Sequence, residues 1–395
     1  MAPRIIHVDL DAFFVEVCRA RNPELRQVAL LVVGGRRESR GVVQSASYPA
    51  RAYGIRAGMP IAEAVRRCPQ ATFFQGSFAH YREASRAIRT VLERFTPTVA
   101  MASLDEAYLD FSGTERLYPV SLLPVAEQIR DTVRAETNLD VSIGIGSNRM
   151  IAKLASDTAK PKGLMEVRAG WEERFLAGLA LRALPGIGPK TTARLAELGL
   201  ANVVQVQELT REQLETLVGP EAKLLKLRAH GYGGTALHGD RLPRSVSRET
   251  TLSRDARDPA RLETLLALLT ARVAGQLREE GLVARTLTLK LRHDDFKTVT
   301  RRQTLETPTD LDAELYEPAR AMFREAFAEV RGRDRGVRLI GIGATGLGKA
   351  AEPDLFEPAD RERRRRLTAA VDQVRERFGF DALAEARLLA LKRRS

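Results

Sequence analysis

Asp9, Asp105 and Glu106 are the residues whose types and spacing point most directly to chemistry in this chain. Asp105 and Glu106 are adjacent, and both flanks read as short strands, Val99-Ala100-Met101-Ala102 before and Ala107-Tyr108-Leu109-Asp110-Phe111 after. Neighbouring side chains on a regular strand point to opposite faces, so the two carboxylates serve one object only if the chain bends between them, as near a hairpin turn. Asp9 ends a second apolar strand, Ile5-Ile6-His7-Val8, which brings a third carboxylate to the same spot when laid beside the hairpin. Crowded carboxylates repel, and they are best tolerated around hard divalent cations such as Mg²⁺, which take oxygen ligands and leave positions for water or phosphate. The spacing alone equally allows ordinary turn carboxylates.

Other residues extend the pattern. Asp11 lies two positions from Asp9, the spacing of a ligand pair, but it precedes a helix and is read as its N-cap. Of Phe13 and Phe14, one belongs to the core and the other starts the helix nearest the carboxylates, where a ring can floor a pocket. Tyr48 and Arg51, three apart on a helical turn, can present a hydroxyl and a guanidinium to one phosphate, and a surface Tyr stacked on Arg fits equally well. Lys160, in the basic turn Lys160-Pro161-Lys162-Gly163, is a candidate phosphate contact. In Leu184-Pro185-Gly186-Ile187-Gly188-Pro189-Lys190 the glycines allow a tight hairpin between helices, and backbone N–H groups at the next helix's start can hold a phosphate, with Lys190 beside them. From Arg285 to Arg292 leucines alternate with polar residues, giving a core face and a partly cationic face; with Lys290, Arg292 and Arg301 this suits a nucleic-acid backbone, although a solvated sheet face has the same pattern.

The elements that must position these residues follow in order. The split βαβ arrangement, an antiparallel sheet backed by helices, emerges from strand 5–8, helix 77–95, the carboxylate hairpin, helix 122–137, strand 141–146 and helix 148–158, once 13–75 is treated as an insertion. That insertion holds strands 29–33 and 41–47 around Gly34-Gly35. Residues 166–232 read as helices, 230–242 as a linker. Beyond it come helix 259–280, strands 285–292 and 298–305, helix 316–331 and strand 337–343. In the tail Leu367, Val371, Val374 and Phe378 fall at helical spacing and predict an amphipathic helix that docks, with the run Arg363-Arg364-Arg365-Arg366 on a solvated face. The length of 395 residues implies two to four domains, and a net charge of +12, dispersed along the chain, suits a polyanionic partner. The two cysteines, Cys18 and Cys68, exclude a disulfide framework or a multi-cysteine zinc site and fit a reducing cytosol. No run of about 18 apolar residues and no signal segment is present, so a soluble, cytoplasmic protein is expected.

The succession His7-Val8-Asp9-Leu10-Asp11-Ala12-Phe13-Phe14, Gly41-Val42-Val43, Ala46-Ser47-Tyr48-Pro49-Ala50-Arg51, Ser103-Leu104-Asp105-Glu106-Ala107-Tyr108-Leu109-Asp110, Ala155-Ser156-Asp157 and Lys160-Pro161, followed by a helix-hairpin-helix, resembles the Y-family DNA polymerases, nearest their bacterial DNA polymerase IV branch. The resemblance spans residues 4 to about 345. It implies a multidomain α+β right-hand polymerase: a palm of residues 1–12 and 76–165, small fingers at 13–75, a thumb with the helix-hairpin-helix at 166–232, a linker at 233–243, a βαββαβ-like little finger at 244–348 and a tail at 349–395. It implies template-directed addition of dNTPs to a primer 3′-hydroxyl on primer-template DNA, with low fidelity and lesion bypass, and leaves no part of the chain for an exonuclease. Asp9, Asp105 and Glu106, helped by the Leu10 carbonyl, would hold two Mg²⁺; Tyr48, Arg51 and Lys160 would contact the triphosphate; Phe14 would lie under the deoxyribose and exclude a 2′-hydroxyl. Gly186, Gly188, Lys190, Lys290, Arg292 and Arg301 would contact DNA. Cys18 stands where the family usually has Glu, and Gln44 where it has a small residue. Glu352-Pro353-Asp354-Leu355-Phe356 looks like a degenerate sliding-clamp-binding peptide, off at two of five positions. A monomer associated with the nucleoid is expected. Two other readings are a catalytically inactive polymerase-like adaptor, which needs none of the six chemistry-bearing residues Asp9, Tyr48, Arg51, Asp105, Glu106 and Lys160, and a nucleotidyl cyclase, which needs neither thumb nor little finger.

Overall fold

The structure, a computed structural model, describes residues 3–237, 242–331, 335–350 and 359–383. The chain divides into two compact units, residues 1–239 and 240–395. The first opens with β1 (Ile5–Leu10), buried along its whole length. Both faces are covered, so His7 and Asp9, which alternate with Ile6, Val8 and Leu10, are buried as well. Before α1 (Phe13–Arg21), Ala12 takes a left-handed φ of 47°, and no side chain caps the helix. Asp11 is therefore not the predicted N-cap: the kink at Ala12 turns its carboxylate inward, away from the helix end. Next come β2 (Leu31–Val33), β3 (Ser45–Ala46), α2 (Tyr48–Arg51), α3 (Ile61–Arg67) and β4 (Thr72–Phe74), with a sheet ordered β3-β2-β4 over a small core that includes Val32, Val43, Ile55 and Ile61. The strand predicted over 41–47 shrinks to two residues because Val43 bonds elsewhere: its N–H donates to the Met59 carbonyl at 2.8 Å and its carbonyl accepts from Gly58 at 2.8 Å.

The main sheet of this unit is completed by α4 (Phe78–Leu92), β5 (Val99–Met101), β6 (Glu106–Asp110), α5 (Leu123–Thr137), β7 (Val141–Gly146), α6 (Arg149–Ala159) and β8 (Leu164–Glu166). Its order is β5-β6-β1-β7-β8, with β1 antiparallel to both β6 and β7, which is the predicted split βαβ arrangement. Strand β8, absent from the sequence reading, adds parallel to β7. Helix α4 buries Tyr81, Ser85, Ile88 and Leu92 and α5 buries Ala126, Ile129 and Val133, steps of three and four that make one apolar stripe on each. Helix α6 lies directly on the β7 backbone because Gly144 has no side chain: a Cβ there would come 2.0 Å from the Ala152 carbonyl oxygen. Helices α7 (Glu172–Ala177), α8 (Pro189–Glu197), α9 (Val203–Glu208), α10 (Arg211–Val218) and α11 (Ala222–Ala229) then pack around Leu176, Leu184, Leu195, Val206 and Leu214, joined by Ile151 and Leu154 of α6.

The second unit runs β9 (Ser245–Ala256), α12 (Pro259–Glu279), β10 (Leu282–His293), β11 (Thr298–Thr309), α13 (Asp312–Arg331) and β12 (Val337–Lys349), a βαββαβ succession with an antiparallel sheet ordered β11-β10-β12-β9. Strand β9 escaped the sequence reading because only Val246, Leu252 and Ala256 of its 12 residues are buried, too few to show alternation. In β10, Leu287, Leu289 and Leu291 join the core, and a bulge between Ala284 and Thr286 shifts the parity so that Leu282 and Ala284 reach it too. The tail helix α14 (Ala359–Phe378) is present, but only the middle of its predicted apolar stripe, Val371 and Val374, is half-buried, while Leu367 and Phe378 at its ends are each 66% exposed. Charge helps hold it: Arg278 of α12 grips Asp372 with two bonds of 2.5 and 3.0 Å, and Arg361 grips Glu314 at 3.0 and 3.2 Å. The expected clamp peptide, Glu352 to Phe356, lies outside the described residues. Among the described residues no helix is long and apolar enough to cross a membrane.

Candidate active site

Strand register brings the carboxylates together. Asp9 on β1 stands opposite Glu106 on β6. The Leu10 N–H donates to the Asp105 carbonyl at 3.0 Å, so the pairing continues into the turn and sets Asp105 alongside Leu10. The turn is tight, with the Ala102 and Ser103 N–H groups both donating to the Glu106 carbonyl at 2.9 and 3.3 Å. The Asp105 carboxylate accepts a bond from Ser103 Oγ at 2.6 Å.

Cations from one face of α6 and the turn after it meet these acids. Lys153 Nζ is 2.6 Å from Glu106 and 3.9 Å from Asp9; Lys160 Nζ is 2.7 Å from Asp9 and 3.1 Å from Asp157. His7, fully buried, places Nε2 3.8 Å from Glu106 and bonds Ser156 Oγ through Nδ1 at 2.7 Å. Burial pushes the Asp9 carboxyl up to about 7 against the pull of Lys160. The His7 ring, and after it Lys153, holds the Glu106 carboxyl well below the usual range against its own burial. Asp9 is buried while Lys160 and Lys153 are only partly covered, so both lysines belong to the site and still reach its opening.

A cavity of about 510 Å³ opens over this cluster, and Asp9, Leu10, Phe14, Tyr48, Arg51, Asp105, Glu106 and Lys160 all line it. Phe13 goes into the core at 2% exposure, while the Phe14 ring, at the cavity wall, packs edge-on against Tyr81 with centroids 4.6 Å apart. The Arg51 guanidinium sits 4.7 Å over the Tyr48 ring, a cation–π contact worth about 0.5–1 kcal/mol, so the stacked arrangement and the shared face coexist. The Tyr48 hydroxyl donates to Asp11 at 2.7 Å. The same Asp11 carboxylate accepts from Ser142 Oγ at 2.9 Å and from the Lys162 N–H at 2.8 Å. Gln44 also lines the cavity, its Oε1 buried without a hydrogen-bond partner.

As a metal site the donor set is suitable. One ligand atom each from His7, Asp9 and Glu106 lies within 4.8 Å of the others, and carboxylate oxygens are what a hard divalent cation takes. Asp105 lines the same cavity with its carboxylate turned to Ser103. Sequence reasoning missed Lys153 and the roles of His7 and Asp11. A signal for Lys153 existed: Lys153, Asp157 and Lys160 are spaced four and three apart, one helical face, on a helix that the glycines of Val141–Gly146 admit close to the sheet.

The residues expected to meet DNA are not among those that line this cavity. Gly188 is the N-cap of α8, Gly186 takes a φ of 85°, and Lys190 is exposed; Arg228 Nη1 braces the hairpin by donating to the Pro185 carbonyl at 2.6 Å. On the helix-free face of the second sheet, Lys290 reaches Glu249 at 2.7 Å and Arg292 donates to Thr298 Oγ1 at 3.0 Å. Arg301 is not brought to that face. It turns toward α13, 3.5 Å from Glu325 and in contact with Glu329, whereas the exposed Arg302, opposite Thr288, shares the face of Lys290.

Comparison with known proteins agrees along the chain. Residues 8–157 match the impB/mucB/samB family and residues 243–355 match that family's C-terminal domain. A protein named DNA polymerase IV from Dehalococcoides mccartyi strain CBDB1 is 37% identical over 98% of both chains. One from Caulobacter vibrioides is 38% identical over 98% of this chain and 94% of its own. Among solved structures, a Y-family DNA polymerase chimera of Dbh and Dpo4 matches with a TM-score of 0.76 at 26% identity, covering 87% of this chain and 99% of that one. An insertion ternary complex of Dbh DNA polymerase matches with a TM-score of 0.58 at 25% identity, over 88% of this chain and 100% of that one.

Proposed function

The chain belongs to the impB/mucB/samB family, as a Y-family translesion DNA polymerase of the bacterial DNA polymerase IV kind, and we propose that in it Asp9, Asp105 and Glu106 hold two Mg²⁺. The enzyme adds dNTPs to a primer on template DNA and depends on a divalent metal. Its residue roles rest on one observation: the carboxylates, the Tyr48–Arg51 pair, Lys160 and Phe14 come from four separate stretches of chain and line a single cavity.

The Leu10 carbonyl joins the carboxylates as a ligand. Held by these groups, divalent metal would lower the pKa of the primer 3′-hydroxyl and offset charge on the triphosphate and the departing pyrophosphate. Lys160, on Asp9 in this structure, serves the triphosphate together with Arg51 and Tyr48, as charge-assisted contacts that orient the phosphates for in-line attack. The Phe14 ring, backed by Tyr81 at 4.6 Å, lies under the sugar and leaves no room for a 2′-hydroxyl. Gly186, Gly188 and Lys190 grip phosphates of the duplex, and Lys290 and Arg292 track its backbone from the second sheet. The adaptor reading loses ground because all six residues it has no use for line the cavity. The enzyme acts as a monomer at the nucleoid, and Glu352 to Phe356 carries it to a sliding clamp. Primer extension with Mg²⁺ and each dNTP singly, beside Asp105→Asn, tests the site: template-dependent addition by the wild type alone is expected, and extension by the variant would remove Asp105 from it.

A further inference from the structure

We infer that Asp11 is the positioning residue for the triphosphate contacts, tying Tyr48 and the lysine turn to the sheet that carries the carboxylates. Three hydrogen bonds converge on its buried carboxylate, and each comes from a different part of the unit: Tyr48 Oη at 2.7 Å from α2, Ser142 Oγ at 2.9 Å from β7, and the Lys162 N–H at 2.8 Å from the turn after α6. Its own N–H is anchored on the Asp140 carbonyl at 3.0 Å, and the Asp140 side chain takes Lys162 Nζ at 2.8 Å. The turn that presents Lys160 is thus pinned twice to the strand ends beside Asp9. The fingers side is pinned once, through Tyr48, whose ring carries the Arg51 guanidinium. A carboxylate accepts at both oxygens, whereas an amide keeps one acceptor oxygen and turns an NH₂ toward the third partner, so Asn cannot accept all three bonds as they are arranged here. Moving either pinned segment by a fraction of an ångström misplaces phosphate ligands, while Asp9, Asp105 and Glu106 keep their places through the backbone pairing of β1 with β6 and its turn.

This inference rests on reading Tyr48, Arg51 and Lys160 as triphosphate contacts. The test is single-turnover incorporation over a range of dNTP concentrations, with wild type, Asp11→Asn, Tyr48→Phe and the double variant, each checked for thermal unfolding and primer-template affinity. Asp11→Asn is expected to raise the dNTP concentration for half-maximal rate about tenfold, the scale of a lost hydrogen bond to a charged group, and to leave the Mg²⁺ requirement unchanged. The double variant is expected to lose clearly less than the product of the single effects, because Asp11 acts partly through Tyr48. Should Asp11→Asn fail to fold, Ser142→Ala loosens the same carboxylate and is expected to raise that concentration a few-fold. A fall in maximal rate with the dNTP requirement unchanged, or effects that simply multiply, would overturn the inference while leaving the contacts in place. No change in Tyr48→Phe, by contrast, would strike at the underlying reading of Tyr48, and the inference would fall with it.

Discussion

The sheet β5-β6-β1-β7-β8 and the sheet β11-β10-β12-β9 share a succession of a strand, a helix, two strands, a helix and a strand, to which the first adds β8, yet the opening strand lies in the middle of the first and at the edge of the second. Position decides what polar residues on that strand do. Flanked on both sides, β1 holds Asp9 at 4% exposure beside Lys160, where charge is only weakly screened and a carboxyl is pushed far from its usual range. At its edge, β9 offers Glu249 to Lys290 with side chains 50% and 33% exposed, a pair worth at most about 1 kcal/mol. One sheet concentrates charge at strand ends; the other spreads it along an open face.

The largest expected effect belongs to the first sheet. Asp105→Asn should lower the single-turnover rate about a thousandfold, several kcal/mol of lost charge stabilisation, with primer-template affinity changed less than twofold; a comparable rate loss from Arg292→Ala would erase the contrast between the sheets. Next, Phe14→Ala should reduce discrimination against ribonucleotides about a hundredfold, measured as the ratio of kcat/KM for dNTP and rNTP, and unchanged discrimination would take Phe14 out of the sugar site. On the second sheet, replacing Lys290 and Arg292 together by Ala should weaken DNA binding several-fold and reduce the slope of log affinity against log salt by roughly two, while the rate on bound DNA stays as it was. A slope that does not move would mean the open face meets no phosphate. The smallest effect concerns α14: Asp372→Asn, breaking the grip of Arg278, should cost the second unit about 1 kcal/mol, roughly 2–4 °C in a melting scan, an effect that shrinks at high salt.

The same contrast explains what could be read from the sequence. The split βαβ sheet was legible because β1 and β7 are buried throughout and appear as apolar runs, and the carboxylates stood out because they end such runs. Strand β9 was not legible, since an edge strand with three buried residues in 12 carries no period. Alternation separated Leu289 from Lys290, but the direction of Arg301 depends on register with β10, which no local pattern encodes. The tail misled in another way: Leu367 and Phe378 make a helical stripe on paper, while Arg278 and Glu314, far off in sequence, decide which side of α14 is held. Asp11 was mistaken for a cap because its three donors come from residues 48, 142 and 162.

Lys153 and Lys160 make the carboxylate cluster carry its own counter-ions. Small metalloproteins that fold only around their ion lose structure to a chelator. With lysines already balancing these acids, withdrawing the cation is expected to arrest synthesis and leave the melting temperature nearly where it was. A cell short of magnesium would keep a reserve of folded, silent polymerase, ready to restart as soon as the ion returned.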